Sequence, residues 1–523
     1  MPRLTRLTWW SMACAAFVHL LYLTTPLHVD EAGVAMVGRS AIAAGDSSLY
    51  GQLFIDRPPP LVLLFGYADA AAGAVGVRLI GLAAAISLVA ACAWTTRRIV
   101  GPRYEAYAAV IAAMLASAPA LSAHITYAEL IGAPFVCASV GCIAPVIARE
   151  RNRAMQQSEG AIPALASPAA AASLQRVRAS AHLWILAGVL AACALLIKQS
   201  FIDGIAAGAA LAFASPGIRT ALIRGALFSL GAVIPIGMTV VWASERVDGI
   251  AQLAYATIGF RFDAEHALAA AHGPVMHRLF MLVAGMSASG YFVLLPFAVY
   301  GLRTAWRTSR AVSVCMAIWL GAGWVGVMGG GYFWTHYMIA VAPVMVVMSM
   351  YGLEGIRCAR SAPTSRLLRA PIAVVAACLI VHVTSTVVSA RQTGPTSQRT
   401  AQSAAQVVTD NRRTGDSIFV LYARANLVYY AHVRPAFPYQ WSLMYRTVPS
   451  IEHRVLALLN GADAPDWIVA WNSPSSFGMD HDGRIQQALS TRYREVATPC
   501  GIPVLLRRTD HRPIHIRDAA VCS

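Results

Sequence analysis

Acidic residues are scarce in this chain, and lysine is all but missing. Asp and Glu together number 25 among 523 residues, and charged residues of both signs make up only 13%. Lys198 is the one lysine among 41 basic side chains, so nearly all positive charge is arginine, which reads as a genome-composition effect. No cysteine pair has zinc-site spacing. There is no phosphate-cradling glycine loop, no serine elbow and no solenoid repeat. The net charge of +16 has no nucleic-acid motif behind it.

What the chain has instead is apolar length. It is 57% hydrophobic, with repeated runs of roughly 17–25 residues, each long enough to cross a ~30 Å hydrocarbon core. The class that follows is a polytopic α-helical membrane protein. The sequence predicts eleven transmembrane helices: Leu7–Leu27, Ala74–Thr95, Ala106–Ser122, Glu129–Ala148, His182–Ile197, Phe201–Ala214, Gly225–Ala243, Leu279–Leu302, Ala311–Gly329, Tyr337–Gly352 and Pro371–Val388. The first run has no small-residue cleavage site after it and is read as a retained helix rather than a signal peptide.

Charge bias sets the expected orientation. With the N-terminus in the cytoplasm, Arg97, Arg98, Arg149, Arg151, Arg219, Arg303, Arg307, Arg357 and Arg360 all fall inside, and most of the acids fall outside. An odd number of helices sends the tail out. The chain thus divides into a transmembrane part, 1–390, and an extracytoplasmic part, 391–523. In the tail, strand-like runs Ile418–Tyr422, Trp467–Trp471 and Val504–Leu506 alternate with helical stretches near Ala401–Thr409 and Ile451–Leu459, the pattern of a small α/β domain. Of the ten cysteines, only Cys500 and Cys522 lie in this tail, where a disulfide between them is open. The cytoplasmic segment Arg149–Ser180, rich in Ala, Ser and Gln, reads as a linker.

The scarce acids concentrate in the first outer loop. It carries Asp30-Glu31 directly after the first helix, then Asp46, then Asp56-Arg57 before Pro58-Pro59-Pro60. Acid beside a bilayer is costly unless it does chemistry. Between the acids, Ala32–Ala44 reads as an interfacial helix and Leu61–Gly73 as a second one, with the three prolines giving a stiff entry. A carboxylate here could take a proton from an acceptor hydroxyl, and a guanidinium could hold a phosphate leaving group. The bland alternative is a set of charges that marks a helix end and a solvated loop.

An acidic pair after the first helix, followed about 25 residues later by acid-base-Pro-Pro, resembles the type C glycosyltransferases. The likeness is greatest to the group that holds protein O-mannosyltransferases and the lipid A aminoarabinose transferase. It covers Leu7 to about Ala390 and is richest in motif in the first loop. The resemblance implies an inverting glycosyltransferase, hexosyl or pentosyl, of a bacterial plasma (inner) membrane. The expected donor is a polyprenyl-phosphate sugar, and the acceptor a cell-envelope glycan, lipid or protein. It makes Asp30 the catalytic base with Glu31 its neighbour, and Arg57 a contact of the donor phosphate. It also makes Asp56 a cavity residue able to help hold a divalent metal ion. Arg57 stands where some members have lysine.

Weaker matches extend the list. Glu129 opens the fourth helix, where relatives carry a second acid, or is a charge favourable to the helix dipole. Lys198 in Leu196-Ile197-Lys198-Gln199 resembles a lysine turn of the family and would help bind phosphate, or it snorkels to the interface. His336, in Trp334-Thr335-His336-Tyr337, resembles an aromatic-His-Tyr element and is either a phosphate ligand or an interface residue. His124, Arg261, Asp263, Glu265, His266 and His272 are cavity candidates, and the long loop Ser244–His277 reads as a lid. A multi-helix transporter or flippase is the competing class. It would show acids at mid-membrane and repeated halves, and neither is evident.

Overall fold

The computed structural model describes residues 4–43, 49–158, 169–214, 217–246, 249–269, 272–308, 310–359 and 396–516. In chain order its first helices are α1 (Arg6–Leu21), α2 (Val29–Ala43), α3 (Pro59–Ile99), α4 (Glu105–Ala116), α5 (Ala128–Ser158), α6 (Ala169–Ile197) and α7 (Asp203–Phe213). They are followed by α8 (Ile218–Arg246), α9 (Ile250–Ala254), α10 (Phe260–Ala269), α11 (His272–Ala288), α12 (Tyr291–Thr308), α13 (Arg310–Met328) and α14 (Met338–Ala359). The chain divides into two compact units. One comprises Met1–Leu23, Arg78–Trp242 and His272–Val388; the other comprises Thr24–Val77, Ala243–Ala271 and Ser389–Ser523.

The first unit is all helix. Among the described residues, six helices are long and apolar enough to cross a membrane, or seven if α11 and α12, bent by 79°, form one span. Ten of the eleven expected segments fall on helices, and Pro371–Val388 lies outside the described residues. They are not eleven straight spans, however. Helix α1 has 16 residues, α4 has 12 and α7 has 11. At ~1.5 Å per residue, each falls short of a ~30 Å core. Ala106–Ser122 breaks because Ser117 leaves helical geometry and Pro119 opens a separate 3-10 turn, Pro119–Leu121.

Small residues set how closely these helices approach. Gly301 on α12 and Gly352 on α14 face each other, and a Cβ on either would run into the partner backbone, Met348 O and Phe297 O respectively. Glu105, fully buried, accepts from Thr5 N (3.0 Å), Thr8 Oγ1 (3.2 Å) and Arg97 Nη1 (2.8 Å), and so ties α1, α3 and α4 together.

The second unit holds a five-stranded sheet of order β2-β1-β3-β5-β4, built from β1 (Ser417–Val420), β2 (Arg434–Pro435), β3 (Trp467–Val469), β4 (Tyr493–Ala497) and β5 (Val504–Arg507). Strands β2, β1 and β3 run parallel, and β5 is antiparallel to both β3 and β4. Alternation along β1 sends Ile418 and Val420 to one core, with Trp467, Val469, Val504 and helix Thr396–Asn411. It sends Phe419 to the other core, with Ile468, Ile485 and helix Ile451–Asn460. Both faces are therefore covered, as a parallel sheet requires. The expected small α/β domain is present. Its short edge strands β2 and β4, and the helices Ala425–Ala431 and Arg484–Arg492, add to the elements read from sequence.

One expectation for this unit changes. The segment Ser244–His277 is not an open loop: its described residues include α9, a π-helical turn Tyr255–Gly259 and α10, anchored by the fully buried Phe260 against Phe54 (5.1 Å between ring centres). Leu61–Gly73 ends where expected: α3 is two helices that meet at Ala72 (φ −146°, ψ 17°) and Gly73 (φ 59°, ψ −145°), where the positive φ suits glycine, so this stretch forms a short helix of its own. Cys500 is disulfide-bonded, and Cys522 lies outside the described residues.

Candidate functional site

The acids of the first loop sit inside α2 rather than before it. Asp30 and Glu31 form its first turn, where the helix N-terminus favours negative charge. The two carboxyls have different jobs. Glu31 is buried, at 1% exposure, and its Oε2 accepts the His28 backbone N–H at 2.9 Å, closing the helix start. Asp30 keeps 41% of its side chain exposed; its Oδ1 accepts from the indole of Trp441 (3.0 Å), and its Oδ2 lies 3.6 Å from His28 Nδ1. A half-exposed carboxylate beside a buried, capping one is the geometry expected of a proton acceptor with a supporting neighbour.

The acid-base-Pro-Pro element folds onto itself. Arg57 Nη1 donates to Asp56 Oδ1 at 2.7 Å, while Arg261 from α10 ion-pairs with Asp56 Oδ2. The Arg57 carbonyl accepts the Tyr50 hydroxyl (2.6 Å), which fixes the turn ahead of Pro58, and Pro59 then starts α3, where a missing N–H costs nothing. Both oxygens of Asp56 are thus held by guanidinium groups. A carboxylate so engaged is a poor metal ligand, and Asp56 does not fit the metal role expected of it. No group of three or more His, Cys, Asp or Glu that could hold a metal occurs among the described residues.

Sequence reading missed a further acid in this unit. Asp69, buried in the first arm of α3, pairs with Arg39 of α2 (2.5 Å) and accepts from the Tyr429 hydroxyl (2.5 Å). It is the one acid in the apolar stretch Leu61–Gly73, and that isolation was the available signal. Of the cavity candidates, Asp263 is exposed and accepts from Tyr255, and Glu265 and His266 lie on the same helix, α10. Asp46 and the side chain of His272 lie outside what is described.

In the helical unit, three residues named separately from sequence come together. Glu129 opens α5 and is buried; Lys198, just past α6, ion-pairs with its Oε1. His336 Nε2 lies 4.0 Å from the same oxygen, its ring stacked on Tyr127 (3.8 Å between centres). Lys198 Nζ also sits 3.8 Å above the Tyr337 ring. The His124 ring stacks on Tyr22 (4.2 Å), and the His124 carbonyl accepts from Arg78 (3.1 Å). Arg278, which sequence reading did not single out, lies over Tyr332 and Trp334 (5.3 and 5.2 Å).

This bundle of helices with a small α/β domain, and with acids gathered after the first helix, is the fold of type C glycosyltransferases. The structure is similar to that of ArnT, the lipid A aminoarabinose transferase, from Cupriavidus metallidurans bound to undecaprenyl phosphate (TM-score 0.61, 17% identity, covering 95% of this chain and 98% of that one). It is also similar to the Archaeoglobus fulgidus oligosaccharyltransferase AglB in complex with an inhibitory peptide and a dolichol-phosphate (TM-score 0.51, 12% identity, 97% and 75% covered). A third likeness is to the oligosaccharyltransferase of that organism in complex with Zn and sulfate (TM-score 0.52, 13% identity, 92% and 71% covered). No protein-family model matches the sequence, and a search of curated proteins finds no match.

Proposed function

We propose that this protein is a membrane glycosyltransferase that moves a sugar from a polyprenyl-phosphate donor to a hydroxyl of an extracytoplasmic glycan, lipid or protein. The observation that carries this reading is Asp30, a half-exposed carboxylate fixed at a helix N-terminus beside the buried Glu31, in a chain with the type C fold. The neighbours support the donor class: one is bound to undecaprenyl phosphate and another to dolichol-phosphate.

In the reaction, Asp30 takes the proton of the acceptor hydroxyl while that oxygen attacks the anomeric carbon. The bond from that carbon to the phosphate oxygen breaks on the opposite face, the polyprenyl phosphate leaves with the bonding electrons, and the configuration inverts. Glu31 keeps the helix start in register and so fixes where Asp30 stands. Arg57 is assigned to the donor phosphate: a guanidinium held beside Asp56, with Arg261 on the same carboxylate, is suited to pair with a phosphate through two parallel hydrogen bonds. In the helical unit an anion reaching Lys198 and His336 would compete with Glu129 for them, and this makes the cluster a second candidate for phosphate contact. In this reading the membrane part is 1–390, in a bacterial inner membrane, and the segment 391–523 is extracytoplasmic. The test is direct: purified protein with undecaprenyl-phosphate sugars and envelope acceptors should release undecaprenyl phosphate in step with glycosylated product. Translocation of the lipid-linked sugar without its consumption would favour a flippase instead.

A further inference from the structure

The C-terminal segment reaches the carboxylate proposed as base. Trp441 has an extended backbone (φ −127°, ψ 143°) just ahead of the helix Ser442–Thr447, and its indole Nε1 donates to Asp30 Oδ1 at 3.0 Å. These residues are 411 positions apart, so the contact is made by the fold rather than by local geometry. The indole is seated as well as bonded. It lies against Gly33, one turn along α2, where a Cβ would collide with Trp441 Cζ2 and approach Cη2 to 2.9 Å. Glycine inside a helix costs roughly 1 kcal/mol relative to alanine; at position 33 it makes the room that the ring fills. The strand of chain around Trp441 is also fixed, since the buried Gln440 donates to Phe437 O (2.5 Å) and Met444 N donates to Trp441 O (3.1 Å).

An indole N–H is a donor only. It can orient a carboxylate, but it can neither take nor give the reaction's proton. We infer that Trp441 is a positioning residue for the transfer reaction, holding Asp30 Oδ1 so that Oδ2 is the oxygen presented to the acceptor hydroxyl. The inference rests on Asp30 being the base. It gives the C-terminal segment a part in the chemistry besides any part in acceptor binding. Titratable and charged groups near Asp30 come from its own segment and from the helix packed on α2, which Arg424 precedes. His28 and Glu31 lie on its own segment, and Arg39 lies at the far end of α2 on Asp69. From helix Ala425–Ala431, packed on α2, come Tyr429, which donates to Asp69, and Tyr430, which accepts from Leu27 N. Removing the indole N–H therefore removes a donor to the Asp30 side chain without adding or deleting a charge.

The full-length enzyme is compared with two variants. One is Trp441→Phe. The other carries at 441 the tryptophan analogue in which sulfur replaces the ring N–H, which keeps the shape and loses the bond. Both are expected to lower kcat about tenfold, roughly the worth of one such hydrogen bond, with the donor KM little changed. A purely structural role would lower the melting temperature of Trp441→Phe and leave the sulfur analogue with the wild-type kcat and KM; that result overturns the inference. Asp30→Asn, measured alongside, separates the two claims. If it retains transfer, the base assignment fails and Trp441 falls with it. If it is inactive while the sulfur analogue matches wild type, the role of Trp441 alone is refuted.

Discussion

Lys198 ion-pairs with Glu129 inside the helical unit, both side chains buried and 69 positions apart in the chain. The lone lysine is thus spent on a buried acid, with the Tyr337 ring beneath its ammonium and His336 Nε2 4.0 Å from the same carboxylate oxygen. Breaking a buried pair from one side leaves an uncompensated charge and costs about 3–5 kcal/mol, whereas removing both partners is far milder. Lys198→Met and Glu129→Gln are each expected to lower the melting temperature in detergent, and the double variant to recover most of it. If Lys198 also binds phosphate, the recovered double variant will still bind donor more weakly than wild type. Equal destabilisation in all three would mean the pair is not coupled.

Arg57→Ala should weaken donor binding about 10- to 150-fold, the range set by one charge-assisted hydrogen bond at about 1.5–3 kcal/mol. Binding of fluorescent polyprenyl phosphate measures this, and unchanged affinity would exclude Arg57 from the phosphate site. Because Asp56 is closed on both oxygens by Arg57 and Arg261, EDTA is expected to leave that affinity unaltered. A loss on chelation that is restored by a divalent ion in wild type, but not in Asp56→Asn, would overturn the pairing as described.

How much of this was legible in the chain follows from how far each contact reaches. The acidic pair, Asp56-Arg57 and the apolar runs are local patterns, and the sequence showed them. The interior strands β1, β3 and β5 were visible for the same reason, being short apolar runs. Strand β2 spans only Arg434–Pro435, and β4 is an edge strand carrying Arg494 and Glu495, so neither had an apolar signature. Ser244–His277 looked like a loop because its polar residues interrupt the helical period; its order comes from Phe260 packing on Phe54, distant in sequence. Glu129, Lys198 and His336 were each singled out, but their joining was not, since no periodicity links residues on three separate elements. Asp69 with Tyr429 and Asp30 with Trp441 join positions 360 and 411 apart, and nothing local announces such pairs.

The C-terminal sheet carries its own pH sensor. Asp416 is paired bidentately with Arg512 (2.5 and 3.0 Å) and accepts from Trp467 Nε1 (2.8 Å). Burial raises the Asp416 carboxyl, but these hydrogen bonds outweigh it and hold the group below its ordinary value, while bonding to Arg512 lowers Asp510 to about 2. For carboxyls lowered in the folded state, the added stability is complete above the ordinary carboxylate range and is lost as pH falls through the folded value. Hydrogen-exchange protection of β1 and β3, corrected for intrinsic rates, should therefore drop between about pH 4 and pH 2. In Arg512→Met it should be weaker at neutral pH and less dependent on acid. Parallel curves for the two proteins would refute the linkage.

Sidedness is tested by single cysteines at Ser47, Ser158 and Ser475 in an otherwise cysteine-free chain. An impermeant reagent on intact cells should label positions 47 and 475 and spare 158. The charge rule requires this pattern if the arginine-rich loops are cytoplasmic, and labelling at 158 without labelling at 475 would contradict it.

The central claim is that Asp30 is the base. The decisive measurement is the single-turnover rate of sugar transfer by folded Asp30→Asn protein with a saturating undecaprenyl-phosphate sugar, beside Glu31→Gln and wild type. General-base catalysis is worth about 10²- to 10⁴-fold, so the rate should fall by at least about a hundredfold with donor affinity retained, and Glu31→Gln should lose less. An Asp30→Asn enzyme that transfers sugar at close to the wild-type rate would contradict the account.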